Sequence, residues 1–283
     1  MPLTPATIPE LLERHGLSPS RALGQNFLAD PNTARRIVRL AGVEAGDRVL
    51  EIGPGIGSLT VALLEAGARV TAIELDRHVV PALLDTVGAD AITLVAGDAM
   101  TIVFDDVLGD PGDAWRAVSN LPYNVATPIV MRLLEDAPAV RSMLVMVQRE
   151  VGERLAAGPG TKAYGAVSVK VAYFAAARVV GIVPPSVFIP APRVESALVE
   201  LLRHPAPPVD VPAPARLFAL VRAGFGQRRK MLRTSLKSLG ADTLALLAAS
   251  DIDPTARGET LSVHQFCVLA RNWREHRAAA KGP

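Results

Sequence analysis

Residues 49–60 read Val-Leu-Glu-Ile-Gly-Pro-Gly-Ile-Gly-Ser-Leu-Thr, and they are the best single indication of the fold class. Its apolar first residues predict a buried strand, and its last residues begin the pattern of an apolar helix. Gly53, Gly55 and Gly57 lie between the two, where they let the backbone approach a ligand that a side chain would block. A strand, a glycine turn and a helix in this order are typical of an open α/β sheet.

The same alternation of apolar runs and helical patterns continues through the first two thirds of the chain. Five apolar runs predict strands buried on both faces, as in a parallel sheet: Arg48–Ile52, Arg69–Ile73, Ile92–Val95, Ala117–Ser119 and Ser142–Val147. The segments between them predict helices at Ser58–Glu65, His78–Thr86 and Val125–Glu135, and a loop at Asp105–Asp113. Two later runs, Arg178–Ile182 and Glu195–Leu202, fit an antiparallel pair at the sheet edge. We therefore predict an α/β fold whose seven-stranded sheet is Rossmann-like and mostly parallel.

A proline-rich segment divides the chain. Residues 204–214 contain five prolines in eleven positions, which is typical of an extended linker. We place the domain boundary there, with a first domain at 1–205 and a small helical domain at 206–283. Its predicted helices are Ala215–Ala223, Gln227–Leu239, Thr243–Ala249 and Val263–His276. Residues 1–205 carry a net charge of −4 and residues 206–283 a net charge of +6. The basic second domain suits a nucleic-acid partner, although solvated helix faces would give the same asymmetry.

The composition excludes several classes of protein. The one cysteine, Cys267, cannot form an internal disulfide framework or a cysteine-based zinc site. The N-terminal residues contain no apolar core of signal-peptide length, and no apolar run is long enough to span a membrane. We expect a cytoplasmic protein that uses no metal and has no membrane partner.

Strand-end acids accompany the glycine turn. Its Gly-x-Gly-x-Gly spacing differs from the Gly-x-Gly-x-x-Gly spacing of dinucleotide sites, where a helix N-terminus meets a pyrophosphate. The spacing therefore favours a ligand without phosphate, such as S-adenosylmethionine, although a purely structural turn remains possible. Glu51 precedes the glycines, and Glu74 ends the second strand, where a carboxylate can accept from both ribose hydroxyls. Asp98 follows the third strand and can accept from an adenine amine or serve only as a turn residue. Asp76 is a rival of Glu74, but we expect it to be an exposed helix N-cap.

Residues 120–123 read Asn-Leu-Pro-Tyr and suit an enzyme that methylates the exocyclic amine of a base. That amine is a poor nucleophile and has to be held by acceptors. The side-chain oxygen of Asn120 and the carbonyl of Leu121 can accept its hydrogens, while Pro122 fixes the turn. Tyr123 can stack on the base. An ordinary β-turn with a half-buried tyrosine would have the same residues.

Taken in this order, these motifs resemble those of the ribosomal RNA adenine dimethyltransferases, and within them the bacterial small-subunit group associated with kasugamycin sensitivity. The resemblance runs from about residue 20 to about 240, and three further segments are similar to family motifs: Leu23–Leu28, Phe188–Ser196 and Phe225–Arg233. It implies a class I methyltransferase sheet with an N-terminal flap at about 1–30 and S-adenosylmethionine as methyl donor. The implied cofactor residues are Asn26, Leu28, Gly53, Gly55, Glu74, Asp98 and Asn120.

The residues of the three further segments agree with the resemblance. The polar and aromatic residues 25–27 suit a flap over an adenosine, although an ordinary loop ahead of the helix start at residues 30–32 would have the same residues. Phe188, stiffened by nearby prolines, can present an exposed ring to the target base opposite Tyr123, or it can be a buried anchor. Residues 227–230 are expected to open a basic helix that contacts phosphate, so we predict RNA-binding roles for Arg228, Arg229, Lys230 and Arg233. The family usually has Thr where Met231 stands, which we interpret as a packing change.

The resemblance also implies a substrate. Members of the family methylate two adjacent adenosines near the 3′ end of 16S rRNA, each twice, in the 30S subunit or its precursor. We expect a monomer with this activity and a possible role in subunit biogenesis. Three alternatives stay open: a large-subunit methyltransferase of the macrolide-resistance type, a DNA adenine methyltransferase, and an assembly factor that acts mainly by binding.

Overall fold

The computed structural model describes residues 3–20, 24–109, 112–211, 213–239 and 242–279. Within them the strands are β1 (Phe27–Leu28), β2 (Arg48–Ile52), β3 (Arg69–Glu74), β4 (Thr93–Ala96), β5 (Trp115–Asn120), β6 (Val140–Gln148), β7 (Ala175–Val183), β8 (Phe188–Ile189) and β9 (Ser196–Arg203). The helices are α1 (Thr7–Arg14), α2 (Pro31–Leu40), α3 (Ser58–Glu65), α4 (Val80–Val87), α5 (Phe104–Leu108), α6 (Ala126–Asp136), α7 (Arg149–Leu155), α8 (Ala166–Phe174), α9 (Pro214–Gly226), α10 (Leu232–Ser235), α11 (Thr243–Ala249) and α12 (Val263–Ala279). Short 3₁₀ turns lie at Pro185–Val187, Leu236–Leu239 and Gly258–Thr260. None of the described helices is both long and apolar enough to cross a bilayer.

The large sheet has the strand order β4-β3-β2-β5-β6-β9-β7. Strand β2 is parallel to both β3 and β5, β3 is parallel to β4, and β5 is parallel to β6, whereas β9 is antiparallel to β6. The described sheet therefore confirms the predicted seven strands and their mostly parallel arrangement. From β2 the chain continues to β3 and β4 on one side of the sheet, and it then returns to form β5 and β6 on the other side of β2. The strand order therefore reverses between β2 and β5. Ligands of open α/β sheets bind at the carboxyl edge of such a point.

The predicted core of the sheet is buried. Val49, Leu50, Ala72 and Val118 each have no exposed surface, as expected for continuous apolar strands covered on both faces. Helix α3 begins after Gly57, whose φ of 94° lies in the left-handed region. A Cβ at this glycine would lie 3.0 Å from the Leu83 side chain, so the turn needs glycine for both conformation and space.

Two short strands form a separate ribbon. Strand β1 pairs antiparallel with β8, with Phe27 opposite Ile189 and Leu28 opposite Phe188. Directly after β1, the Asp30 carboxylate accepts hydrogen bonds from the backbone of Asn32 and Thr33 and so caps helix α2. The ribbon therefore joins the segment before α2 to the proline-rich loop that leads into β9.

The chain forms two compact units. The first comprises residues up to Glu153 together with Ala177–Arg203, and the second comprises Arg154–Ala176 together with the residues from His204 onward. The change of unit between Arg203 and His204 lies beside the predicted domain boundary at 205. Residues 154–176, however, belong to the helical unit and not to the first domain. Val169 and Tyr173 of α8 explain this, because they are buried in one apolar cluster with Leu217 of α9.

Two predicted elements were wrong. The helix predicted at Gln227–Leu239 is interrupted: α9 ends at Gly226, residues 227–230 form a turn, and α10 begins at Leu232. The backbone N–H of Leu232 donates to the carbonyl of Ala256 over 2.8 Å, so this segment bonds to another part of its unit instead of continuing a helix. The loop predicted at Asp105–Asp113 begins inside the short helix α5, and residues 110 and 111 lie outside the described part.

Candidate active site

A cavity lies at the carboxyl ends of β2, β3 and β5. It holds about 890 Å³ of empty space including its open mouth. Its walls are residues 24–28, Glu51, residues 53–55, Ser58, Leu59, residues 74–76 and residues 120–125. The fold thereby brings together most of the predicted site: Asn26, Leu28, Gly53, Gly55, Glu74, Asn120, Leu121, Pro122 and Tyr123. Leu23, the first residue of the flap motif, lies outside the described residues.

The glycine turn forms the floor of this cavity. Gly53 and Gly55 have φ values of 68° and 57°, a conformation that residues with a Cβ rarely adopt. A Cβ at Gly53 would lie 3.5 Å from the Pro122 ring, and a Cβ at Gly55 would lie 3.2 Å from the Phe27 ring. The glycines therefore leave room for the flap and for the Asn-Leu-Pro-Tyr segment to close around the same space.

Glu74 is held from both sides by backbone amides. Its Oε2 accepts from the N–H of Gly55 over 3.0 Å, and its Oε1 accepts from the N–H of Asp76 over 2.9 Å. The residue is 7% exposed, and burial raises the pKa of its carboxyl above the usual value while the backbone hydrogen bonds oppose this. Each carboxylate oxygen keeps acceptor capacity beyond one amide, so Glu74 can still bind hydroxyl groups in the cavity.

Asp76 links the strand end to the flap. Its Oδ2 accepts from Nε2 of Gln25 over 2.9 Å, and its Oδ1 accepts from the backbone N–H of His78 over 3.0 Å. The side chain is 13% exposed, so the expectation of an exposed cap was wrong although Asp76 does cap the turn before α4. Burial raises the pKa of Asp76, but the hydrogen bonds from Gln25 and His78 outweigh it and lower the pKa overall.

Glu51 is the most deeply buried acid of the cavity. It is 1% exposed, and its Oε2 accepts from the Thr60 hydroxyl over 2.7 Å. Burial raises the pKa of Glu51 to about 8, and the nearby charge of Glu74 adds to the shift. Burial thus favours the protonated form of this carboxyl.

The Asn120 amide has a defined orientation. Its Nδ2 donates to the backbone carbonyl of Asn26 over 3.2 Å. Because a carbonyl can only accept, the nitrogen of the amide must face Asn26, which leaves Oδ1 as the acceptor. The next peptide is also fixed, since the N–H of Leu121 donates to the carbonyl of Met146 over 3.1 Å.

Tyr123 lies at the open end of the Asn-Leu-Pro-Tyr segment. Its ring is half-buried in the cavity wall, and its phenol oxygen lies 2.6 Å from Oγ of Ser196. Burial raises the pKa of the Tyr123 phenol, while the hydrogen bond to Ser196 opposes the change. The phenol is therefore protonated and bound at its far end.

Two predicted site residues lie elsewhere. Phe188 is 3% exposed and packs with Leu28 in the core of the first unit, so the expectation of an exposed ring was wrong. The β1–β8 pairing turns it inward, and the alternative of a buried anchor fits. Asp98 does not line the cavity; its Oδ1 accepts from the backbone N–H of Met100 over 2.8 Å, as a turn residue does.

The predicted basic residues divide into two kinds. Arg228 is engaged within its own unit, because its Nη2 donates to the carbonyl of Tyr164 over 3.0 Å and lies 3.6 Å from the Glu259 carboxylate. Arg229, Lys230 and Arg233 are exposed. We call the turn at 227–230, together with Arg233 just beyond it, the basic turn.

The sequence analysis did not predict two contacts of the site. Gln25 bonds to Asp76 and so joins the flap to the strand end, and Ser196 contacts Tyr123. The only sequence signal for Ser196 is that it closes the Phe188–Ser196 motif. Among the described residues, no group of three His, Cys, Asp or Glu side chains is placed to hold a metal ion.

Comparisons with known proteins agree with this architecture. The family described as Ribosomal RNA adenine dimethylase matches residues 17–274. The proteins named Ribosomal RNA small subunit methyltransferase A from Leifsonia xyli subsp. xyli and Magnetococcus marinus are 48% and 46% identical to this chain. These alignments cover 95% and 92% of the chain and 97% and 94% of the relatives.

Solved structures share the fold. A dimethyladenosine transferase from Plasmodium falciparum matches with a TM-score of 0.75 and 24% identity, over 89% of this chain and 98% of that one. The 23S rRNA methyltransferase ErmE matches with a TM-score of 0.67 and 25% identity, over 88% of this chain and 100% of that one. Since the family match covers most of the chain and the relatives exceed 45% identity along nearly their whole length, this chain belongs to the ribosomal RNA adenine dimethylase family.

Proposed function

We propose that this chain transfers methyl groups from S-adenosylmethionine to the exocyclic amines of two adjacent adenosines near the 3′ end of 16S rRNA, in the cytoplasm and as a monomer. One observation carries the proposal: Asn120 lines the same cavity as the glycine turn and Glu74. A donor site and an acceptor for a base amine thus share one space. The family membership and the names of the relatives support the choice of an adenine in small-subunit RNA.

The donor side of the cavity fits S-adenosylmethionine. The carboxyl groups of Glu51 and Glu74 line this side of the cavity, and their oxygens suit a ligand that donates hydrogen bonds rather than a phosphate, whose oxygens accept them. Glu74 would accept from the ribose hydroxyls, and the Cβ-free surface of Gly53 and Gly55 would lie against the methionine part. When bound, this molecule supplies a methyl group on a positively charged sulfur.

The acceptor side acts by positioning the amine. Oδ1 of Asn120 and the carbonyl of Leu121 would accept its two hydrogens, and both acceptors gain strength as the nitrogen becomes positive during the transfer. The Tyr123 ring would hold the base by its face. Fixing the two reactants in line is the main contribution to the rate, and the proton can leave to water without a dedicated base.

RNA binding is assigned to the basic turn. Arg229, Lys230 and Arg233 are exposed and suit contacts with phosphates. The relatives of 46–48% identity are named for the small subunit, whereas the match to the 23S rRNA methyltransferase ErmE has 25% identity. We therefore place the small-subunit substrate, as the 30S particle or its precursor, before the large-subunit alternative.

Methyl transfer to under-methylated ribosomal particles tests the proposal. Purified protein is incubated with labelled S-adenosylmethionine and either under-methylated 30S or 50S particles, and digested RNA is analysed for N6,N6-dimethyladenosine. We expect dimethyladenosine in 16S rRNA alone, and none with the matched Asn120→Ala variant. Label in 23S rRNA would favour the large-subunit alternative. Binding to 30S particles without any transfer would instead favour an assembly factor.

A further inference from the structure

Tyr123 is bound at both ends. Its backbone belongs to the rigid turn after β5, where the N–H of Val125 donates to the carbonyl of Pro122 over 3.2 Å. Its phenol oxygen lies 2.6 Å from Oγ of Ser196, at the short end of the range for hydroxyl pairs. A phenylalanine would offer the same ring face to a base but could not make this second attachment.

The Ser196 hydroxyl is fixed by its strand. Ser196 is fully buried at the start of β9, in register with Gln148 of β6. The neighbouring residue Glu195 is held twice, because its carbonyl accepts from the N–H of Arg149 over 2.9 Å and its carboxylate pairs with the Arg149 guanidinium over 2.7 Å. The partner of the phenol is therefore part of the sheet.

Helix α7 packs closely against the beginning of β9. Gly152 of this helix lies so close to β9 that a Cβ there would be 2.7 Å from the Cβ of Ala197. Close packing on one side and the β6 pairing on the other keep the beginning of β9 in one place. A hydroxyl in this position can hold the far edge of the Tyr123 ring and thereby set its plane.

We propose that Ser196 is a positioning residue that fixes the ring plane of Tyr123 for stacking on the target base. The proposal rests on the proposed function, because it assumes that Tyr123 receives an adenine. It adds a role for the last residue of the Phe188–Ser196 motif and explains why a tyrosine is useful at position 123. Ser196 acts only through Tyr123 and makes no contact with the reacting atoms.

A double-mutant cycle tests this role. Ser196→Ala, Tyr123→Phe and the double variant are compared for kcat and KM with 30S particles at saturating S-adenosylmethionine. Loss of one uncharged hydrogen bond corresponds to roughly 3- to 10-fold in kcat/KM. We expect each single variant to show a loss of this size, the double variant to lose no more than either, and the affinity for S-adenosylmethionine to be unchanged.

A matched control separates positioning from general loss of stability. Ser168 is also buried, and its hydroxyl donates to the carbonyl of Arg154 over 2.6 Å and accepts from the N–H of Gly165 over 3.1 Å, so Ser168→Ala removes at least as much hydrogen bonding in the second unit. We expect Ser168→Ala to lower the melting temperature while kcat/KM stays within about twofold, since this bond does not reach Tyr123. Ser196→Thr keeps a hydroxyl and should restore most of the activity that Ser196→Ala loses.

A spectroscopic measurement reports the contact directly. The chain has three tyrosines, so ¹³Cζ-tyrosine labelling gives three resonances, and Tyr123→Phe identifies that of Tyr123. Because the hydrogen bond to Ser196 lowers the phenol pKa, Ser196→Ala should raise the pKa of that resonance alone. An unmoved resonance, parental activity of Ser196→Ala, or multiplicative losses in the double variant would each overturn the positioning role. Absence of methyl transfer by the parent protein would overturn the proposed function instead, while the resonance would still report the contact.

Discussion

Nδ2 of Asn120 lies 3.2 Å from the carbonyl oxygen of Asn26, which joins the turn after β5 to the N-terminal flap. The amide that we propose to receive the target amine is thus oriented by a backbone atom of the segment that closes the cavity. We therefore expect the position of the flap to influence recognition of the base through this hydrogen bond. A protein whose flap is displaced would lose this control over the direction of Oδ1.

Asn120→Ala should lower methyl transfer by at least about 100-fold, the effect of removing one group that stabilises charge in a transition state. Asn120→Asp should in addition weaken binding of S-adenosylmethionine, because a carboxylate facing the Asn26 carbonyl places two acceptors together. Single-turnover transfer and calorimetric titration measure the two effects, and thermal melting checks the fold. Turnover near that of the parent in Asn120→Ala would remove this residue from its assigned role.

Glu74→Gln should weaken S-adenosylmethionine binding by about tenfold or more, which is about 1.4 kcal/mol. Both Glu74 oxygens accept from backbone N–H groups, so the new NH₂ group must face a donor at Gly55 or Asp76. Calorimetric titration with S-adenosylmethionine measures the change. Glu65→Gln is the matched control, because Glu65 pairs with Arg35 at the surface and should leave affinity unchanged. Equal affinities for the parent and Glu74→Gln would contradict the ribose role.

Glu51 should make the first unit less stable as the pH rises. The folded protein keeps the Glu51 proton up to a pH near 8, whereas an unfolded glutamic acid releases it near 4.5. The folded state thus binds the proton more tightly, and the free energy of unfolding falls between these two pH values. Glu51→Gln keeps an acceptor for the Thr60 hydroxyl but has no proton to release. In this variant the free energy of unfolding should therefore fall less with rising pH than in the parent, where the fall is a few kcal/mol at most. Urea unfolding at pH 5, 6.5 and 8 compares the two slopes, and identical slopes would contradict the assignment.

The carboxyl-edge position of the cavity was predictable from the sequence because it depends on local patterns. The structure reproduces β2 at Arg48–Ile52 and α3 at Ser58–Glu65 with the predicted bounds, since apolar periodicity and the glycines specify both. The same periodicity indicated that β2, β3 and β5 are parallel, and parallel strands end at one edge. Glu74 and Asn120 therefore had to lie near each other.

The remaining errors concern contacts between distant residues. Phe188 lies in a loop of prolines, and nothing near it in sequence reveals that its backbone pairs with Leu28 and turns the ring inward. The helix expected after Gln227 fits local propensity, but its backbone bonds to residues 254–256 instead. The sequence likewise did not show that Oδ1 of Asp98 accepts a hydrogen bond from its own turn, while its expected role toward an adenine amine stays a prediction. Local sequence patterns do not show when a contact with a distant residue overrides the local preference.

The basic turn should determine RNA affinity through charge. Arg229→Ala together with Lys230→Ala should weaken 30S binding and reduce the slope of log affinity against log salt by about 1 to 2, as expected for two lost phosphate contacts. Filter binding between about 50 and 200 mM salt measures the slope. Arg35→Ala with Arg39→Ala removes the same charge from exposed positions of α2 and should leave the slope nearly unchanged. Equal slopes for the two double variants would show that net charge alone matters.

Met231→Thr should stabilise the second unit by about 1 kcal/mol. Met231 is the N-cap residue of α10, and its side chain makes no capping hydrogen bond. Where the family usually has Thr, methionine therefore also lacks a capping group, in addition to the packing change that the sequence predicts. The N–H of Thr234 already donates to the carbonyl of residue 231 over 2.9 Å, so the new hydroxyl would share this donor, and Met231→Ala controls for the lost methionine side chain. Urea unfolding of the three proteins measures the difference; equal stability of the Thr and Ala variants would contradict the capping role.

The β1–β8 ribbon has a consequence for synthesis of the protein. Phe27 and Leu28 leave the ribosome early, but their partners Ile189 and Phe188 follow only after most of the large sheet has been translated. Until then the flap has no strand to pair with, and the Asn26 carbonyl has no fixed position above Asn120. We expect nascent chains to gain affinity for the methyl donor abruptly, near the end of translation of the first unit, so the site forms only after about two thirds of the chain has been made.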